Sequence, residues 1–196
     1  MMKTDYTPEE MRNLRERDWS LNVRDEFKGM TVEEVKDALQ LRRSTLQLAF
    51  VNALRDFNFA ALLRASNAFC CESVVYAGHR RYDPRGAVGV KNYENIYHLE
   101  DEDLLQLYIN IKRDEGYTFV VAESDIYPNS KALPEYQWNP KTVLMFGEES
   151  IGVPEEFISL ADDVVYVKQL GSVRSMNVSA TAHIFLFDYA VKTGRM

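Results

Sequence analysis

From Leu46 onward the chain alternates short apolar runs with helical patterns, and this alternation limits the fold more than any other feature. Leu46 to Val51, Ser73 to Ala77, Tyr117 to Ala122, Thr142 to Phe146 and Val164 to Val167 are rich in β-branched, aromatic or apolar residues and read as buried strands. Between them, Asn58 to Ala68, Asp101 to Arg113 and Pro154 to Leu160 carry helical spacing, and Asn177 to Val191 closes the chain with a longer helix. Strands alternating with helices predict an α/β fold, a mostly parallel sheet with helices on both faces. In such sheets a ligand sits at the carboxyl ends of the strands. The residues directly after each strand are therefore the candidates for function.

Composition narrows the setting. With 196 residues, 46% of them hydrophobic, the chain can bury one substantial core. It carries 30 acidic against 23 basic side chains, a formal charge of −7, which excludes nucleic-acid binding through overall charge and leaves only local patches. The two adjacent cysteines, Cys70 and Cys71, form no disulfide framework and fit no metal-ligand spacing, so a reduced, cytoplasmic setting is expected. Met1 to Glu10 is polar and acidic, unlike a targeting segment, and no apolar run approaches bilayer length, so no membrane partner is expected. A charged amphipathic stretch meets the first apolar run near residue 44. Residues 1–44 read as a helical N-terminal extension and 45–196 as the main domain. Within the extension, Thr31 and Glu34 have the spacing of a capping box, with Val32, Val35 and Leu39 on one face of the helix that follows.

After the first strand, Asn58 stands at a plausible helix N-cap, and Ala60, Ala61 and Ala65 offer a thin face for close approach to a neighbour. Arg64 lies on the same helix. Its plain reading is a salt-bridging surface residue, and its functional reading is an anion contact. After the fourth run comes Gly147-Glu-Glu-Ser-Ile-Gly152. Two carboxylates would repel a phosphate there, and neither Walker nor dinucleotide glycine spacing is present. The turn suits either structure alone or backbone approach to an uncharged or cationic ligand. After the fifth run, Gly171 precedes Ser175, Asn177 and Ser179, interleaved with Met176 and Val178. Helix capping accounts for one or two of these polar groups, and a ligand site accounts for the set.

Taken in order, these segments resemble the three motifs of the SpoU/TrmH family of SPOUT RNA ribose methyltransferases. Asn58 with Arg64 matches the first, Gly147 with Glu149 and Gly152 the second, and Ser175-Met-Asn-Val-Ser179 the Ser-Leu-Asn-Val-Ser of the third. The resemblance covers roughly residues 45 to 192. It implies a C-terminal trefoil knot, an exception to the rule against knots, with S-adenosyl-L-methionine held in the knot and an active site completed across a homodimer. Two departures stand out: Val167-Lys168-Gln169 replaces the usual Ile-Pro-Met, and Met176 replaces Leu. Both touch the cofactor loop and leave the catalytic groups intact.

The resemblance assigns catalytic roles to Arg64, Asn58, Glu149, Ser175 and Asn177, and cofactor contacts to Gly147, Val167 and Met176, with Ala122 and Gln169 nearby. A guanidinium keeps its proton, so Arg64 is expected to stabilise the developing alkoxide and grip the adjacent phosphate, with phosphate or water taking the proton. For RNA contact the clearest local feature is His79-Arg-Arg-Tyr-Asp-Pro-Arg-Gly86. There Arg80, Arg81 and Arg85 supply positive charge and Tyr82 a stacking face; a solvated surface loop is the plain alternative. Lys91, Arg42, Arg43 and Arg174 are candidates to extend the patch. His183, on the last helix, reads as a packing or interface residue. The expected activity is methylation of an RNA ribose 2′-hydroxyl, tRNA ahead of rRNA. The alternative is a non-catalytic RNA-binding homologue that keeps the knotted fold. A nucleotide-binding oxidoreductase is disfavoured by the missing glycines.

Overall fold

A computed structural model describes residues 23–51, 56–78, 87, 89–148 and 151–196. Its elements in chain order are α1 (Val32–Gln40), β1 (Gln47–Val51), α2 (Asp56–Ala68), β2 (Ser73–Ala77), β3 (Ile96–Leu99), α3 (Glu102–Asp114), β4 (Thr118–Ala122), β5 (Lys131–Ala132), β6 (Thr142–Phe146), α4 (Glu155–Leu160), β7 (Asp163–Tyr166) and α5 (Val178–Lys192). The strands form one sheet in the order β3-β2-β1-β6-β4-β7-β5, and every pairing is parallel.

Strand side chains alternate faces, and both faces are covered. Leu48, Phe50, Val120, Leu144 and Phe146 point to one layer, where they meet Phe59, Leu62 and Leu63 of α2 and Phe185 and Leu186 of α5. Ala49, Val51, Phe119, Val121, Val143 and Met145 point to the other, against Leu105 and Ile109 of α3 and Phe157 and Ile158 of α4. This double burial explains why the strands read as continuous apolar runs with no polar alternation. On the first layer Phe146 stacks on Phe50, centroids 5.8 Å apart, and meets Phe185 edge-on at 5.7 Å. Each such aromatic pair adds roughly 0.5–1.5 kcal/mol beyond the area it buries.

The five expected strands are all present, with ends shifted by at most one residue, and two more were missed. Ile96–Leu99 is a half-exposed edge strand whose two middle residues are Tyr97 and His98, and Lys131–Ala132 has only two residues. Neither offers the apolar run that marks a central strand. The chain steps outward from β1 to β2 to β3, then crosses to the far side of β1, where β6 later fills the space between β1 and β4. The winding direction changes there, which opens a crevice at the carboxyl ends of β6 and its neighbours.

Ahead of β1, Thr31 caps α1 as expected. Its hydroxyl accepts from Glu34 N at 3.2 Å, and its own backbone N donates to Glu34 Oε2 at 2.8 Å. Val35 and Leu39 bury against Phe27, Cys70 and Tyr93, whereas Val32, expected on the same face, is 37% exposed. At the first helical position it lies before the contact begins. Arg43 does not extend a basic surface. Its side chain is 3% exposed and donates to Cys71 O and Tyr93 O, each at 2.6 Å, with Glu94 Oε2 at 3.4 Å. Ser66 and Asn67 donate to the same Glu94 carboxylate at 2.8 Å each. A buried guanidinium needs such partners, and here they tie the chain before β1 to the end of α2. Among the described residues no helix is long and apolar enough to cross a membrane.

Candidate functional site

Three segments converge where β4, β6 and β7 end: residues 123–127, residues 147–148 with 151–152, and residues 167–176. With Phe146, Val178, Thr181 and Phe185 behind them they enclose a cavity of about 830 Å³. That is within the range that accommodates a nucleoside-sized ligand.

The second segment turns back on itself. Glu148 and Gly152 exchange backbone hydrogen bonds of 3.2 and 2.8 Å, which draws the two glycines together. A Cβ on Gly147 would stand 2.1 Å from the carbonyl carbon of Gly152, so no side chain fits there. Gly152 has φ +71°, in the region that favours glycine. Both glycines singled out in the sequence are therefore demanded by the turn itself.

Glu123, first after β4, joins that turn to the sheet. Its Oε1 accepts from Val153 N at 3.1 Å and its Oε2 from Ser124 N at 2.8 Å. Neither Glu123 nor the 123–127 segment was singled out by sequence reading, which went no further along this strand end than Ala122. The available signal was the rule already in use, that residues directly after a parallel strand form the site. Nearby, burial and then the Glu123 charge raise the Tyr127 hydroxyl above its ordinary pKa.

All five residues expected at the cofactor, Ala122, Gly147, Val167, Gln169 and Met176, line this cavity, as do Ser175 and Arg174. β7 ends at Tyr166, one residue earlier than expected, which frees Val167 to face the cavity. Gln169 folds its amide back to donate to Val167 O at 3.2 Å. Among the described residues the charged lining consists of Glu123, Asp125, Glu148 and Arg174. Three carboxylates against one guanidinium suit a cationic or neutral ligand and oppose a phosphate.

Asn58, Arg64 and Asn177 are not in the lining. Asn58 is the third residue of α2, not its cap; it is buried, and its Oδ1 accepts from Asn177 Nδ2 at 3.0 Å. Asn177 caps α5, its Oδ1 accepting from Ser179 N at 3.0 Å, Ala180 N at 3.3 Å and Ser179 Oγ at 2.6 Å. The capping reading thus holds for Asn177, and Ser179 donates to that cap from the first turn. The asparagine pair also fixes the entry to α5 against α2. Arg64 is exposed on α2, and no hydrogen bond or ion pair among the described residues engages it. Glu149, Arg80, Arg81, Tyr82 and Arg85 lie outside the described residues. Lys91 is exposed, whereas Arg42 pairs with Glu26 at 3.0 Å. His183 is exposed, with Nδ1 2.6 Å from Ser179 O.

A parallel sheet with a strand-end cavity lined by glycines, apolar and aromatic side chains and several carboxylates defines an α/β protein with a site at its strand ends. A profile of the SpoU rRNA methylase family matches residues 45–187, and the chain belongs to this family. It is 28% identical over 174 residues to a tRNA (guanosine(18)-2′-O)-methyltransferase of Thermus thermophilus, covering 86% of this chain and 84% of that protein. Its fold is similar to that of the A. aeolicus TrmH/SpoU tRNA modifying enzyme, with a TM-score of 0.71, 20% identity and 84% and 83% of the two chains covered. It is also similar to the SpoU methyltransferase AviRb from Streptomyces viridochromogenes in complex with the cofactor AdoMet. There the TM-score is 0.69, with 19% identity and coverage of 82% of this chain and 65% of that one.

Proposed function

We propose that the protein is an S-adenosyl-L-methionine-dependent RNA methyltransferase acting on a ribose 2′-hydroxyl, with tRNA ahead of rRNA as substrate. The observation that carries this reading is the strand-end cavity, which gathers the expected cofactor residues into one space of about 830 Å³. The full-length similarity to a tRNA 2′-O-methyltransferase supports the choice of RNA. The cavity fits the cofactor: it has the volume, a backbone surface that no side chain at position 147 could share, and an acidic lining suited to a sulfonium.

Gly147, Val167 and Met176 would hold the adenosine by main-chain contacts, with Ala122 and Gln169 beside them. When bound, S-adenosylmethionine supplies an already activated methyl group, so the protein's task is alignment and removal of the hydroxyl proton. Arg64, permanently charged and exposed, would stabilise the oxygen as its proton leaves to a phosphate or water. It would also grip the neighbouring phosphate. Asn58 acts through Asn177, holding the start of α5, while Ser175 stands at the cavity wall to meet ribose or phosphate. Glu149 would orient Arg64 or the last loop. Arg80, Arg81 and Arg85 would contribute the RNA-facing charge. The presence of Asn58, Arg64, Glu149, Ser175 and Asn177 together favours an active enzyme over a non-catalytic RNA-binding homologue.

The working unit we propose is a homodimer with a trefoil knot in each chain. Arg64 does not line the cavity of its own protomer, so a second copy would complete the site. α5 buries one face in the core yet exposes Ile184, Phe187 and Val191 along another, a second apolar stripe that a monomer would leave wet. The knot reading rests on the family resemblance, and residues between β7 and α5 line the same cavity as Gly147 and Gly152. We place the enzyme in the cytoplasm, consistent with its free thiols Cys70 and Cys71. The test is incubation with methyl-labelled cofactor and separate tRNA and ribosomal RNA pools. Label should appear in nuclease-resistant, 2′-O-methylated dinucleotides from tRNA, and label confined to bases would refute the ribose assignment.

A further inference from the structure

We infer that Glu123 is a positioning residue of the methyl-transfer site, the carboxylate that clamps the 147–153 turn onto the end of β4 and so sets the shape of the cofactor cavity. The inference rests on the reading of the cavity given above. Glu123 is itself held by the sheet: its backbone N donates to Val165 O at 3.1 Å, which continues the β4–β7 pairing one residue past the strand. From this anchored position its two carboxylate oxygens reach in different directions. Oε2 takes Ser124 N at 2.8 Å and fixes the first cavity wall, and Oε1 takes Val153 N at 3.1 Å and fixes the second.

The turn needs such a clamp. Its own backbone pairing, Glu148 with Gly152, joins the two arms to each other but not to the sheet. Val153 is 4% exposed, so its N–H has no access to solvent and must find an acceptor within the protein. The fit around the carboxylate is tight as well, because a Cβ on Gly152 would lie 2.4 Å from Glu123 Oε1. The glycine at 152 therefore answers two demands, its left-handed φ and the room needed by this oxygen. Each Glu123 oxygen keeps a further lone pair, and the side chain stands in the cavity wall. Removing the carboxylate would let the turn lift from β4 and widen the space that the cofactor's adenosine must fill.

The experiment compares the full-length protein with Glu123→Ala and Glu123→Gln. It uses calorimetric binding of S-adenosylhomocysteine, methyl-transfer kinetics at varied cofactor concentration, and thermal melting. Loss of a charge-assisted hydrogen bond to the turn should weaken S-adenosylhomocysteine binding about tenfold or more in Glu123→Ala and raise the cofactor KM by the same factor. The kcat at saturating cofactor should remain within about threefold, since no interaction unique to the transition state is removed. Glu123→Gln keeps one oxygen to accept from Val153 N and should recover affinity to within about threefold of wild type. Unchanged binding by Glu123→Ala would overturn the inference, as would a Gln variant as weak as the Ala variant. A fall in kcat without a change in KM would also overturn it. If Glu123→Ala does not fold, Glu123→Gln decides alone, a loss of affinity beyond tenfold refuting the clamp. Failure of the wild-type protein to bind S-adenosylhomocysteine at all would instead refute the proposed function.

Discussion

Gly147→Ala tests whether the turn between β6 and α4 is the part of the cavity that cannot yield. The added Cβ would lie 2.1 Å from Gly152 C, 2.3 Å from Val153 N and 2.4 Å from Gly152 O. All three obstacles are backbone, so no rotamer relieves them. Reaching an ordinary carbon contact of about 3.5 Å requires the two arms of the turn to part by roughly 1.4 Å. That separation breaks the 3.2 and 2.8 Å hydrogen bonds between Glu148 and Gly152 and the 3.1 Å bond from Val153 N to Glu123. At about 0.5–1.5 kcal/mol for each neutral bond and 1.5–3 for the one to a carboxylate, the closed turn loses about 2.5–6 kcal/mol. The turn can open locally without unfolding the sheet, so the loss should appear in ligand binding more than in global stability. With about 1.4 kcal/mol per factor of ten, S-adenosylhomocysteine should bind at least about 60-fold more weakly. Titration calorimetry measures this directly, with circular dichroism melting as the control. Binding within about threefold of wild type would show that the turn is not a wall of the ligand site.

Other substitutions separate catalysis, assembly and stability. Arg64→Ala should abolish methyl transfer while leaving S-adenosylhomocysteine affinity unchanged and stability within about 0.5 kcal/mol, because Arg64 is exposed; undiminished turnover would remove it from the catalytic group. Glu94→Ala strands the buried Arg43 charge and should cost about 3–5 kcal/mol in urea denaturation. By contrast, Glu26→Ala, which removes the exposed partner of Arg42, should leave the denaturation midpoint nearly unchanged. Phe187→Glu, in the exposed stripe of α5, should halve the mass seen by light scattering, and an unchanged mass would place the dimer contact elsewhere. Burial, and next its hydrogen bond to the Glu72 carboxylate, push the Tyr117 hydroxyl from 10.0 up to about 12. The folded state thus keeps a proton that the unfolded chain releases, so stability should fall as pH rises from 10 towards 12. Tyr117→Phe should flatten that slope in denaturant titrations, and an unchanged slope would assign it to other groups.

The sequence by itself determined the architecture of the central sheet. β1, β2, β4, β6 and β7 are buried on both faces, so their identity is written in consecutive apolar residues and needs no knowledge of neighbours. The capping box of α1 was equally legible, because both its partners lie within four residues. So were Gly147 and Gly152 as turn residues and the carboxyl strand ends as the place to look. Edge strands β3 and β5 left little trace, since half-exposed or two-residue strands carry no apolar signature.

The tertiary structure alone decided what depends on contacts between distant segments. Arg43 looked like part of a basic surface until Glu94, 51 residues later, was seen to bury it. Asn58 looked like a cap and is instead the partner of Asn177, 119 residues away. Glu123 looked like one more acidic residue in a chain of net charge −7, yet its carboxylate meets Val153 N, 30 residues on, and joins two walls of the cavity. Local composition records how each segment satisfies itself, through burial period, caps and turns. The pairing of a charge or an amide with a remote partner is set only when the sheet order brings the segments together, and the site is made of such pairings.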